Sequence, residues 1–197
     1  MRITKEQSRE NRSRVIAGAA KLFRERGFAG VGVADLMRAA GLTHGGFYNH
    51  FASKDELEAE ACRQALARST AKIETIARRQ EPDERAEAMA AYMRSYVSSH
   101  ARDAAAPNCP MAAFAGEMPR QSGQVMAAYA EGLRVYLDGF AKAQGASRPQ
   151  ALARFSMLAG ALILARSVAG ADAALSDEIL AAANASLDAD EDLNGVG

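Results

Sequence analysis

Between residues 43 and 54 the chain carries eight residues suited to meeting a polyanion: Thr43, His44, Gly45, Gly46, Tyr48, Asn49, His50 and Lys54. Hydroxyl, amide and imidazole groups offer hydrogen bonds without fixed negative charge, and the lysine adds a cation. No Asp or Glu interrupts the stretch. The two glycines let backbone approach a ligand closely, at a cost in helix propensity. They fit a tightly packed turn equally well. The chemistry these types support is recognition of phosphates and base edges, with the phosphates fixing position and the bases carrying specificity.

Two short helical segments must hold these groups. Val33, Leu36, Met37 and Ala40 fall at helical spacing and form one apolar stripe. Leu42, Phe47 and Phe51 continue it, and the two phenylalanines, four residues apart, share an inward face. Gly41 supplies the turn, because a left-handed residue there carries no Cβ penalty if it is glycine. Two helices joined by such a turn read as a helix-turn-helix, whose second helix enters the DNA major groove. The spacing alone also fits an ordinary α–α corner. Ser53 followed by Glu56 predicts a capping box, with Lys54 in the first turn of the next helix. Free N–H groups at that helix start favour an anion. Upstream, residues 5–26 read as one helix. Val15, Ile16, Ala19, Leu22 and Phe23 would face inward, and Arg9, Arg12, Arg14, Lys21, Arg24 and Arg26 outward.

Charge is balanced overall, 24 basic against 24 acidic residues, but not evenly spread. Residues 1–54 hold 10 Lys+Arg and 4 Asp+Glu, the pattern of a localised polyanion site on a neutral chain. Cys62 and Cys109 make neither a disulfide framework nor a zinc set. His44, His50 and His100 lack metal-ligand spacing, so no metal and no cofactor are expected. Nucleophile-elbow, P-loop and dinucleotide motifs are missing, which removes the support for those enzyme classes. The first residues are charged and amphipathic, and the longest apolar run, 155–165, lies between Arg154 and Arg166. These features predict a soluble, cytoplasmic protein with no membrane partner.

The remaining residues predict a second all-helical domain. Helices are expected over 54–79, 83–101, 110–118, 122–144, 150–169 and 176–187. This divides the chain into a DNA-binding domain over 1–54, a ligand-binding and dimerisation domain over 55–187, and a disordered tail over 188–197. Met89, Tyr92, Met93, Tyr96, Cys109, Met111, Phe114, Met118, Met126 and Tyr129 cluster in sequence and can line an adaptable apolar pocket. They equally fit a plain helical core. Helix 150–169 is apolar on more than one side. One side packs in its own domain; the other, with the last helix, would meet a second copy in a four-helix interface. Phe155, Leu158, Leu162, Ile163, Ile179 and Leu180 are the candidates for that interface. Cys109, ahead of Pro110, reads as a helix N-cap, where N–H groups lower a thiol's pKa and raise its reactivity; a small capping residue or an inert buried thiol is the plainer reading of the same position.

The motifs AAKLFRERGF at 19–28, VADLMRAAGLT at 33–43 and GGFYNHFASKDEL at 45–57 resemble, in order and spacing, the DNA-binding domain of the TetR family of bacterial transcriptional regulators. The resemblance implies an all-α homodimer. A small N-terminal three-helix unit would bind a double-stranded DNA operator, and a larger body would bind a small-molecule effector. It further implies that Tyr48 and His50 contact phosphate, that Lys54 is a helix-start phosphate lysine, and that Thr43, His44, Gly45 and Gly46 reach bases or backbone. Asn49 falls at a variable position of the family. The chain departs at Val31, Gly32 and Ala34, where relatives often carry a hydroxyl cap. The expected function is therefore a non-enzymatic, ligand-responsive repressor. The rival is a helical ligand-binding or thiol-sensing protein that has lost DNA binding, which the missing cap and Cys109 would favour.

Overall fold

The computed structural model describes residues 4–104 and 109–194, with side chains as far as 189. The described residues form nine α-helices and no strand: α1 (Lys5–Arg26), α2 (Val33–Ala39), α3 (Lys54–Ala77), α4 (Pro82–Tyr96), α5 (Ser99–Asp103), α6 (Pro110–Ala115), α7 (Gly123–Gln144), α8 (Arg148–Val168) and α9 (Ala173–Asn194). The all-α architecture with a helix-turn-helix head follows the sequence pattern.

The head, α1 and α2 with the start of α3, closes on an apolar core of Val15, Phe23, Leu36, Met37, Phe47 and Phe51. Gly41 takes φ +68°, a conformation that any other L-residue reaches only at a steric cost. Ser53 caps α3 by accepting the Glu56 N–H at 3.1 Å. The reciprocal bond of the box is displaced by one residue, with Glu56 accepting from the Ala52 N–H at 2.7 Å. The body packs α3 lengthwise on α7. Gly132 allows that approach: a Cβ there would stand 2.5 Å from Leu66 Cδ2 and 2.9 Å from its Cβ.

Three boundaries differ from the sequence reading. The helix expected over 83–101 is interrupted after Tyr96, because the Ser98 hydroxyl accepts the Ala101 N–H at 3.1 Å and starts α5 as a separate cap. Residues 118–120 form a 3-10 turn apart from α6. The last helix starts earlier and ends later than 176–187. Residues 188–194, expected in a disordered tail, continue α9, and Leu187 and an Arg94–Asp188 ion pair at 3.2 Å tie its later turns to the body. Residues 195–197 of the expected tail lie outside the described residues.

Helix α8, 21 residues with a mean hydropathy of 1.5 over its most apolar window, is long and apolar enough to cross a bilayer. The shorter run counted from the sequence understated it. It buries Ala151, Phe155, Leu158, Leu162 and Ala165 against α7 and α9.

Candidate functional site

The second segment of the helix-turn-helix is a 3-10 helix, His44–Asn49, instead of an α-helix. Two successive glycines weaken α-helical preference, and the tighter winding runs for six residues, longer than is usual. Its geometry separates two roles along one segment. Phe47 is buried against Phe51, with ring centroids 5.5 Å apart. Tyr48, its neighbour, is 75 % exposed, and Thr43, His44, Gly45 and Asn49 lie exposed beside it. Gly46 is half-buried, with Met37 below it. His50 is half-buried, and its Nδ1 is buried with no hydrogen-bond partner among the described residues. That leaves Nε2 as the ring's outward group.

Lys54 does not stand free. Its ammonium donates to the Phe28 carbonyl at 2.9 Å and pairs with Glu58 at 3.1 Å. Glu58 is buried, and burial pushes its carboxyl pKa up against the downward pull of Lys54. Two of the ammonium's three protons are thus directed inward. The expected phosphate role falls to the third proton at most, and Lys54 has a structural role that its position in the first turn did not announce.

Arg12 is also committed. It grips Glu60 through both terminal nitrogens at 2.5 Å, reaches Glu56 at 3.1 Å, donates to the His50 carbonyl at 3.2 Å and lies 4.8 Å from the Phe51 ring centroid. Arg14 donates to the Ala40 carbonyl at the end of α2. The basic face of α1 is therefore only partly available. Arg9 and Lys5, one and two turns ahead of Arg12 on the same side, are exposed and meet no carboxylate among the described residues. At the start of α2, Gly32 replaces the hydroxyl cap, and Asp35 compensates in part by accepting the Gly32 N–H at 3.4 Å.

Head and body meet at Phe28. Its ring packs 4.9 Å from that of Phe114 in α6, its N–H donates to Glu117 at 2.9 Å, and its carbonyl holds Lys54. Glu117 lies 89 residues away in sequence, and no sequence signal marks it.

The expected pocket residues divide among several places. Tyr92, Tyr96 and Cys109 line a cavity of about 210 Å³ with Ala101, Leu162 and Arg166. Met111 and Tyr129 line a second, apolar cavity of about 190 Å³ with Leu152, Phe155, Ala159 and Ile163. Phe114 instead faces the head. Met89, Met93 and Met118 are buried without lining either cavity, and Met126 is on the surface. A larger groove of about 430 Å³ lies outside, between α3 and α7, where small residues such as Ala67, Ala71 and Gly132 leave space.

Cys109 does stand at the N-cap of α6, as Pro110 predicts. Its chemistry follows the plainer reading, a buried thiol, and not the reactive one. Burial pushes the thiol pKa up, outweighing the Tyr96 hydroxyl and the N–H groups of Ala112 and Met111, which pull it down. The Tyr96 hydroxyl donates to Sγ at 2.7 Å. Cys62, buried in α3, is pushed up to about 12 by the same cause.

Of the expected interface residues, Phe155, Leu158, Leu162 and Leu180 are buried within one protomer. Phe155 stacks among Tyr96, Tyr136 and Phe140. Ile163 is exposed and Ile179 half-buried. Leu152, Leu164 and Leu175, absent from that set, are exposed apolar side chains on the same two helices. Alternation at 3.6-residue period around α8 would have found Leu152 and Leu164; counting apolar residues did not separate the two sides.

A surface 3-10 segment of hydrogen-bonding residues over an apolar core, joined through α3 to a helical body, defines a helix-turn-helix protein. Residues 15–61 match the family described as bacterial regulatory proteins, tetR family. The match covers the helix-turn-helix head and the first turns of α3. The chain is 42 % identical over 57 residues to the HTH-type transcriptional regulator TtgR of Pseudomonas putida, a match spanning 29 % of this chain and 27 % of TtgR. The matched part is thus about a quarter of the relative's length. Across the whole fold, the reduced form of E. coli NemR superposes with a TM-score of 0.75 at 20 % identity, covering 90 % of this chain and 95 % of NemR. A TetR-family regulator from Agrobacterium tumefaciens gives 0.70 at 23 % identity, covering 88 % and 95 %. These two likenesses concern the fold.

Proposed function

We propose that the protein is a homodimeric DNA-binding transcriptional regulator, released from a palindromic operator by a small effector. One observation carries the reading: Thr43, His44, Tyr48 and Asn49 are exposed side by side on a segment whose other face, Phe47, anchors the head's core. That arrangement presents hydrogen-bonding groups rigidly to a groove. Thr43, His44 and the backbone of Gly45 and Gly46 would read base edges. Tyr48, His50 through Nε2, and the free cations Lys5 and Arg9 would hold phosphates, with Lys54 secondary.

A single head reads too few base pairs for a specific site, and two-fold pairing supplies the second half-site about 34–36 Å away. The outward side of α8 suits such pairing. Leu152 and Ile163 flank Ser156, Ala159 and Gly160, and a Cβ on Gly160 would meet nothing within 4 Å beyond its own helix's adjacent backbone. Small residues at the centre let a second α8 approach closely, and Leu164, Leu175 and Ile179 extend the apolar area. An effector in the body would reach the head through α6, since Cys109 and Met111 border the two cavities while Phe114 packs on Phe28. Coupling requires only that the effector bind one of two head spacings more tightly.

The test is selection of duplexes from a random pool by the purified protein. The reading predicts an enriched palindrome bound by two chains. Enrichment of no sequence at low salt would overturn it.

A further inference from the structure

We infer that the cavity between α3, α4, α5 and α8 is a site for a small aromatic carboxylate, whose charge is taken by Arg166 and whose ring lies against Tyr92 and Tyr96. As the effector site it rests on the function proposed above; as a binding site it stands on its own observations.

The first is a charge without a counter-charge. Arg166 projects from α8 into the cavity, and among the described residues its guanidinium meets no carboxylate. Its Nη2 donates to the Ala101 carbonyl at 2.6 Å and its Nε to the Arg102 carbonyl at 3.3 Å. Three of its five N–H donors therefore remain for something else. Burial pulls its pKa down, so the cation is held in a partly desolvated place where an anion would relieve it. By contrast Arg102, whose carbonyl accepts from Arg166, is itself paired with Asp103 and Asp177.

The second is the lining. Lys72 of α3 also lines the cavity and is exposed, and among the described residues no Asp or Glu lines it. Two cations and no anion around one void give it a positive potential. The third is the shape of the rest. The Tyr92 and Tyr96 rings adjoin each other on one side of the cavity, centroids 6.3 Å apart and planes tilted by 56°, and their hydroxyls are engaged with Tyr136 at 2.8 Å and Cys109 at 2.7 Å. With the hydroxyls tied, the rings are fixed as walls. At about 210 Å³ the void is smaller than pockets that enclose drug-sized molecules, which begin near ~300 Å³. A planar monoanion of one ring fits this description; a bulky neutral hydrophobe does not. Arginine's planar fork also matches a carboxylate in two-point geometry.

The probes are benzoate and 4-hydroxybenzoate, with benzamide as the neutral molecule of the same shape. Binding is followed by calorimetry and by thermal stabilisation of the full chain. Benzoate is expected to bind at least tenfold more tightly than benzamide. Arg166→Gln should erase that preference and Arg166→Lys should keep part of it. Should Arg166→Gln fail to fold, Lys72→Gln, at an exposed position, should still weaken benzoate several-fold and leave benzamide unchanged. Equal binding of benzoate and benzamide, binding of neither carboxylate, or a preference that survives both charge-removing variants would overturn the site. Duplex binding is measured separately with and without benzoate. Benzoate binding by a chain that holds no duplex would sink the regulatory reading and keep the site; duplex release by neutral compounds alone, with no carboxylate bound, would do the reverse.

Discussion

The head and the body place their polar groups oppositely. In the head the core is hydrocarbon and aromatic, and the hydrogen-bonding groups of residues 43–49 lie at the surface, where a large, solvated partner can reach them. In the body several polar side chains are drawn inward: Tyr92, Tyr96, Cys109, Tyr136 and Arg166 surround or adjoin a partly open void. A surface array suits a polymer read along its length. A desolvated array suits a small molecule, because a few charges and hydroxyls count for more where water is excluded. The same contrast separates how each half should fail.

The sharpest break uses neighbouring residues. Phe47→Ala should cost about 3–5 kcal/mol in chemical denaturation, since it empties the centre of the head core. Tyr48→Ala should leave stability within about 0.5 kcal/mol while weakening duplex binding. If the two variants lost stability equally, the division of that segment into anchor and reader would be wrong.

Lys54 sits on the boundary between the two regimes. Lys54→Ala strands Glu58 in a buried position, with a loss of about 1–3 kcal/mol, less than for a fully buried pair because the lysine is a third exposed. Adding Glu58→Gln should recover much of that stability in the same denaturation experiment. Duplex affinity in the double variant then reports what Lys54 gives to phosphate once its structural role is removed.

Alkaline titration should act on the body. Cys62 and Tyr129 are both pushed up to about 12 by burial, from ordinary values of 9.0 and 10.0. Above about pH 9 for the thiol and pH 10 for the phenol, the unfolded chain releases its proton first while the folded chain keeps it. Stability is therefore full below about pH 9 and falls as pH rises toward 12, each group steepening the fall by about 1.4 kcal/mol per pH unit. Cys62→Ala should make the fall shallower in denaturation curves taken across that range. An unchanged slope would mean that the thiol is not shielded as the structure has it.

The smallest effect belongs to the free cations of α1. Arg9→Ala should leave folding untouched and reduce the slope of log affinity against log salt by about one, for any duplex sequence. Arg12→Ala, whose charge is spent on Glu60 and Glu56, should instead lower stability.

How much of this was legible in the sequence differs between the halves for the same physical reason. The head is built from local signals: Gly41 for the turn, Ser53 with Glu56 for the cap, and Phe47 with Phe51 for the face. Each acts within a few residues, so spacing reveals it. What failed there was long-range. Arg12 finds Glu60 48 residues away, and Lys54 finds the Phe28 carbonyl 26 residues away, so a count of basic residues overstated the free charge. In the body, Met and Tyr composition pointed to a pocket but could not say which side chains share one void. Met126 and Phe114 have the right chemistry on the wrong faces. Arg166 was noted only as a flank of an apolar run, although it is the group that gives the cavity its sign. The length of α9 was missed because its acidic end has few apolar residues, while its anchors, Leu187 and the partner of Asp188, lie before that end or on another helix.

The central claim is that the exposed side of residues 43–50 grips DNA in pairs. The direct measurement is fluorescence anisotropy of a labelled selected duplex, titrated with the wild type and with a His44→Ala, Tyr48→Ala double variant of matched thermal stability. The account predicts two chains per duplex and at least a tenfold loss of affinity in the variant. Equal affinity of the two proteins, or saturation at one chain per palindrome, would contradict it.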